Sequence, residues 1–345
     1  MRDVTSTPPL VLVVAAALAA GCPAVRPLPV GVRTAGPQPV FVTRVGASES
    51  ARAVPPVAPA RFVAPAPEVR AVTSWTVDLR PYLLPPIDQS GRSTCNSFAA
   101  TALMEFLVGR ATGTTPDFSE NWNYYVGRTE TLDTPYLRNM YAGQDGLAGF
   151  LAVEAYERSG PVAEADWPYE ARSPMQLGER GCRESDGAAI PDECFTGKPP
   201  GGVEPLGYRL RMEFVPRETI GSFLVAEQRP VVLNIYAYDV WDDSGAMVRM
   251  PTASEAAACA DRGVGCTGHT VLLVGWDEST RTFLFRNSIG ASWGDGGYGT
   301  LTERFVLEHC EACYWLEQLD RLDVEDRAFV EKAAQGVSGV LVEGS

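Results

Sequence analysis

At 345 residues, 45% of them apolar, the chain is long enough for two ordinary domains or for one larger two-lobed unit with a sizeable core. Its 43 acidic side chains against 29 basic ones leave a formal charge of -14. Such a surface repels a phosphate backbone, so nucleic acid is excluded as an expected partner.

Residues 1–22 carry Arg2 and run into LVLVVAAALAAGC, an apolar stretch shorter than the roughly 20 residues that span a bilayer. It has the pattern of an export signal. Its end, Ala19-Ala20-Gly21-Cys22, resembles a bacterial lipobox and makes Cys22 the expected lipid attachment point. Ordinary secretory cleavage near Ala17 or Ala19 is the alternative. The expected location is the cell envelope, periplasmic or surface-facing, with membrane contact only through that N-terminal lipid, and otherwise secretion. A monomer is the default oligomeric state. Residues 23–70, dense in Pro, Ala, Val and Arg without helical or strand period, read as an extended disordered tether.

A globular domain is expected over 71–320, starting in earnest near Trp75. Cys95 opens a helix whose Phe98, Ala99, Ala102, Leu103, Phe106 and Leu107 recur at spacings of one, three and four, giving one buried face, with Gly109 as its expected stop. Further helical patterns cover about 119–128 and 147–158. Past the Gly/Pro-rich stretch at 197–205 the character changes to strands: PVVLNIYAY at 230–238, HTVLLVGWD at 269–277 and RTFLFRNS at 281–288, the last two joined by a short turn at Asp277 to Arg281. Helices first and antiparallel strands second make an α+β arrangement of two lobes. The cleft between them receives Cys95 from one lobe and His269 and Asn287 from the other. The charged, then Gly- and Val-rich, tail at 321–345 has no assigned role.

Export permits disulfides. Setting Cys22 and Cys95 aside, six cysteines fall into close couples: Cys182 with Cys194, Cys259 with Cys266, and Cys310 with Cys313. Local pairing is expected, although six cysteines allow 15 pairings. A metal held by Cys310-x-x-Cys313 and His309 would want another well-spaced pair, so no metal and no cofactor is expected.

The chemistry is carried by three segments in order: QSGRSTCNSFA at 89–99, GCTGHT at 265–270 and RNSIGASWGDGGYG at 286–299. A thiol attacks a carbonyl usefully only as thiolate. It therefore needs an imidazole beside it, a group to aim that imidazole, and donors for the developing oxyanion. The helix start at Cys95 adds the positive end of the peptide dipole.

These segments make residues from about 75 to 315 resemble the papain-like cysteine peptidase family, in the looser form common among bacterial members. The resemblance implies a two-lobed fold, a helical N-terminal lobe against a β-barrel-like antiparallel C-terminal lobe, and peptide-bond hydrolysis through a thioester acyl-enzyme. It implies Cys95 as nucleophile, His269 as base, Asn287 as the residue orienting the imidazole, Gln89 as oxyanion donor, and Gly146 of GQDGLAG in the substrate cleft. The six-residue step from Gln89 to Cys95, Cys95-x-x-Phe98, Asn287-Ser288-x-Gly290 with Trp293-Gly294 and Gly297-Tyr298, and Gly160 nine residues before Tyr169 of DWPY carry it. The expected partner is a peptide or protein substrate.

The chain also departs from that pattern. Arg92, Ser93 and Asn96 stand where the family has a cysteine, a glycine and an aromatic, so the usual lobe disulfide from that position is absent. Ile289 replaces a tryptophan over the Asn to His hydrogen bond and is expected to shield it less. A catalytically weak or inactive surface binding domain, and acyl transfer to an amine, are the alternative functions.

Overall fold

The computed structural model describes residues 60–61, 75–182, 190–212, 215–238, 246–262 and 265–309. In chain order these form β1 (Ala60–Arg61), β2 (Val77–Asp78), α1 (Cys95–Thr112), β3 (Thr114–Thr115), α2 (Glu120–Glu130), α3 (Pro135–Tyr141), α4 (Gly149–Arg158), α5 (Glu193–Thr196), α6 (Ile220–Glu227), β4 (Val231–Tyr238), α7 (Ala253–Arg262), β5 (Cys266–Asp277), β6 (Thr282–Arg286), β7 (Tyr298–Thr302) and α8 (Glu303–His309).

The architecture is the expected α+β one, a helical N-terminal region against a curled antiparallel sheet. Helix α1 is its axis. Every residue from Cys95 to Gly109 is buried, because α2 and α4 pack on one side and β5 on the other. The sequence suggested a single buried face, but a helix walled in by partners on all sides must be apolar or paired all round. It also runs one turn past Gly109. The stop is Gly113, in the left-handed region at φ 82° with its N–H on the Gly109 carbonyl at 2.8 Å.

Strand β5 is the spine of the sheet. On one edge it pairs antiparallel with β4, from Val231 opposite Leu273 to Tyr238 opposite Cys266, and then with β2 at Val77 opposite Trp276. On the other edge it pairs with β6, which pairs with β7. A bulge between Leu273 and Gly275 bends β5 where it changes partners. The three strands expected at 230–238, 269–277 and 281–288 are therefore β4, β5 and β6. Short helices α6, α7 and α8 lie among them. The N-terminal β2 crosses to join the sheet, and Ala60–Arg61, inside the segment expected to be a tether, pair antiparallel with Thr114–Thr115.

The lobes meet over one apolar core running from Leu103, Met104 and Phe106 of α1 to Val271, Leu272, Leu273 and Phe285 of the sheet. Gly160 lets the chain after α4 lie on the 206–208 segment. A Cβ there would overlap the Leu206 carbonyl oxygen, and the Gly160 carbonyl accepts from Trp122 Nε1 at 2.8 Å.

Candidate active site

Cys95 is the first residue of α1, so its sulfur sits at the end of the helix where backbone N–H groups have no intrahelical partner. Thr94, at the N-cap, makes no side-chain cap hydrogen bond. The backbone N–H groups of Asn96 and Thr270 both support the sulfur. Among the described residues Cys95 is the free cysteine, and it is buried.

His269 reaches it from the sheet. In the β5–β6 pairing Leu272 faces Arg286, so position 287 falls opposite position 271. Side chains alternate with period two, which puts 269 on the same face as 271 and brings His269 diagonally beside Asn287. His269 Nε2 donates to Asn287 Oδ1 at 2.8 Å. That leaves Nδ1 for the hydrogen bond His269 makes with the Cys95 sulfur. A tight hairpin thus turns an 18-residue sequence step into one side-chain contact.

The electrostatics follow from this contact. Burial works against a thiolate, but the adjacent imidazolium charge, its hydrogen bond and the two backbone donors outweigh it and hold the Cys95 thiol below its ordinary value. Burial likewise works against a charged His269. The Cys95 charge, its hydrogen bond and then Asn287 overcome that and raise the imidazole. Despite Ile289, the pair is well covered, with His269 7% and Asn287 4% exposed.

The other sequence-expected residues lie close by. Gln89 is wholly buried; its Nε2 donates to the Arg92 carbonyl at 2.7 Å and its Oε1 accepts from Ser288 Oγ at 2.5 Å. Gly146, in the left-handed region at φ 119°, faces the nucleophile loop, with Ser93 Cβ 3.7 Å from where its own Cβ would stand. Asn96 does not open the wall beside the thiol: its Nδ2 donates to Leu147 O at 2.9 Å and Ser93 O at 3.2 Å, tying α1 to the Gly146 segment. Tyr169 donates to the Gln89 carbonyl at 2.7 Å and shares a hydrogen bond with Thr94.

A family model described as papain family cysteine protease matches residues 75–314, well over half of the chain. The chain belongs to the papain family of cysteine proteases. Other likenesses agree with the family and are more distant. Cysteine proteinase 3 of Entamoeba histolytica is 25% identical over 225 residues, 65% of this chain and 61% of that protein. An uncharacterized peptidase C1-like protein of Acanthamoeba polyphaga mimivirus is 28% identical over 109 residues, 31% of this chain and 32% of that one. The chain thus spans about a third to three fifths of the length of these curated relatives. The crystal structure of xylellain, a cysteine protease from Xylella fastidiosa, superposes with a TM-score of 0.54 at 18% identity, covering 76% of this chain and 96% of that one. It shares the papain-family fold.

Within that papain fold, sequence reasoning missed the buried charges. Arg92, in the loop before α1, and Arg128, in the last turn of α2, are among the largest fully buried side chains. Arg128 donates to the Gln144 and Gly146 carbonyls at 2.8 and 2.9 Å and pairs with Asp192. Ser288, read as part of a motif, proves to hold Gln89. The expected disulfides Cys182–Cys194 and Cys259–Cys266 are present. Cys310, Cys313, Cys22 and the tail at 321–345 lie outside the described residues. His309 bonds Tyr238 at 3.1 Å, in contact with Phe305 and apart from the Cys95 cluster. Among the described residues no group of three or more His, Cys, Asp or Glu side chains has a metal-holding arrangement.

Proposed function

We propose that the protein is an exported cysteine peptidase that hydrolyses peptide bonds through Cys95, His269 and Asn287. The observation that carries this reading is the continuous chain from a helix-end thiol to a buried imidazole to a buried amide oxygen.

Cys95 rests as thiolate beside protonated His269. The sulfur attacks the carbonyl carbon of a bound peptide, an S–C bond forms, and the C=O π pair moves onto oxygen. That oxyanion accepts hydrogen bonds from the Cys95 backbone N–H and from Gln89, one of whose two amide hydrogens is not used on Arg92. As the intermediate collapses the C–N bond breaks, and His269 passes its Nδ1 proton to the departing amine nitrogen. Neutral His269 then takes a proton from water, whose oxygen attacks the thioester and expels the thiolate. Asn287 keeps the ring aimed throughout. Gly146, bare of a side chain beside Ser93, lines the path of the extended substrate, whose backbone amides pair along the cleft.

The test is direct. The full chain, treated with an epoxide-type thiol-protease inhibitor, should carry one adduct, mapped by mass spectrometry to Cys95, with matching loss of hydrolysis of a mixed peptide library. Folded protein that neither labels nor hydrolyses would instead favour the binding-domain alternative.

Export is supported by the two disulfides, which an oxidising compartment favours, and by the residue pattern up to Cys22. With Cys22 as the lipid attachment point, the wild type enters the detergent phase on partitioning and Cys22→Ser stays aqueous. Equal partitioning of the two would remove the anchor.

A further inference from the structure

Arg92 lies three residues after Gln89 and three before Cys95, and it has no exposed surface. Burying a guanidinium is costly unless its donors are used; here Nε is buried without a partner, and the two Nη groups are held from outside their own loop. Nη1 donates to Asn121 Oδ1 at 2.5 Å and to the Glu170 carbonyl at 2.8 Å, while Nη2 donates to the Phe195 carbonyl at 3.1 Å. The rings of Tyr124 and Tyr169 lie 5.6 and 5.1 Å from it, within cation–π range. Three separate parts of the helical lobe, α2 through Asn121 and Tyr124, the 169–170 loop, and α5 through Phe195, therefore converge on one side chain. Phe195 itself follows Cys194, which the Cys182–Cys194 disulfide fixes.

The consequence passes through the Arg92 backbone. Its carbonyl accepts from Gln89 Nε2, and Gln89 Oε1 accepts from Ser288 Oγ. A primary amide is planar, so once its oxygen and one N–H are spoken for, the direction of its second N–H is set. Displacing the Arg92 carbonyl by even part of an ångström turns that hydrogen away. Among the described residues neither disulfide reaches the 89–95 loop.

We infer that Arg92 is a positioning residue for the oxyanion donors: its buried guanidinium locks the 89–95 loop so that the remaining Gln89 amide hydrogen points at a carbonyl oxygen bound beside the sulfur. This rests on the peptidase function proposed above. Arg92 touches no reacting atom. Arg92→Lys keeps the charge but loses the planar fork that serves three acceptors.

The experiment compares wild type, Arg92→Lys, Gln89→Ala and the double variant of the full chain. It reads kcat and KM on a peptide substrate, affinity for a peptide aldehyde, and the pH profile of Cys95 alkylation by iodoacetamide. The aldehyde's adduct oxygen needs the oxyanion donors, whereas alkylation needs only the thiolate. Arg92→Lys should lower kcat at least tenfold with KM within about twofold, weaken aldehyde binding by a similar factor, and leave the alkylation midpoint unchanged. The double variant should be no worse than Gln89→Ala alone.

Losses that multiply in the double variant, or a lower melting temperature with kcat retained, would overturn the role of Arg92. Should Arg92→Lys not accumulate as folded protein, Asn121→Ala removes one acceptor of the guanidinium and carries the same test with a smaller loss, again non-additive with Gln89→Ala. A wild type that neither hydrolyses peptide nor reacts at Cys95 would overturn the peptidase reading instead. An active wild type with multiplicative variants overturns only the positioning role.

Discussion

The folded protein should lose stability steadily as pH rises from about 5 to 8.5, with a fall in melting temperature on the order of 10 °C. Four carboxyl groups meet where α1 and α2 pack: Glu105, Asp117, Glu120 and Glu164. Glu105 accepts from the Phe118 N–H at 2.9 Å and Glu164 from the Tyr169 N–H at 2.6 Å. One oxygen each of Glu120 and Glu164 is buried without a hydrogen-bond partner. Arg286 is the cation acting on Glu105 and Asp117, and its Nη2 is engaged by the Pro85 carbonyl at 3.0 Å.

Burial is the main reason these carboxyls hold their protons, with mutual repulsion added. It pushes Glu105 up to about 8 against the pull of Arg286. Burial and nearby Asp117 push Glu164 up to about 8 against the Tyr169 N–H. Burial, then Glu164 and Glu105, hold Glu120 well above the carboxylate range. An unfolded glutamate titrates near 4.3. Between there and about 8 the native state holds protons that the unfolded chain has released, so stability falls with rising pH.

The contribution of Glu105 and Glu164 is complete below about pH 4.3 and lost as pH passes through about 8. At about 1.4 kcal/mol per unit of displacement, the loss amounts to several kcal/mol. Glu164→Gln cannot ionise. Its advantage over wild type in thermal or urea unfolding should therefore grow between pH 5 and 8.5, and a constant difference between the two curves would contradict the buried protonated cluster.

None of that cluster was visible in the sequence, and the reason is physical. A glutamate is almost never fully buried unless something pairs with it, so Glu105 in LMEFL reads as the polar side of an amphipathic helix. Only when α2, α4 and β5 enclose α1 does that polar side become interior. Arg92 and Arg128 escaped for the same reason. What the sequence could specify was local. The Cys95 helix, the β5–β6 hairpin that sets His269 beside Asn287, and the short-range disulfides depend on neighbours within about 20 residues. The end of α1 was misplaced to Gly109 because that glycine serves a close approach, its Cβ position lying 3.0 Å from Thr115 Cα, while Gly113 supplies the left-handed cap. The role of Ser288 likewise depended on a partner 199 residues away in the chain.

The second large effect concerns the imidazole. His269→Ala should lower kcat by roughly a thousandfold or more, since the general acid–base contribution alone is worth about 100- to 10,000-fold and the thiolate is lost with it. Replacing His269 leaves the helix end and the backbone N–H groups of Asn96 and Thr270 near the sulfur. Without the positive partner, though, burial dominates and the thiol rises to its ordinary value of about 8.5 or higher. The sign is fixed by the pair: the thiol is depressed and the imidazole raised, each by the other's charge against the cost of burial. Between those two values the site holds thiolate and imidazolium together, and the proposed activity should be confined to that window.

The most direct measurement is the rate of Cys95 alkylation by iodoacetamide against pH, in wild type and His269→Ala, with the adduct confirmed at Cys95. The wild type should react with a midpoint below that of a free thiol, and the variant should need pH above about 8. Superimposable profiles with a midpoint near 8.5 in both would mean that no ion pair exists between Cys95 and His269.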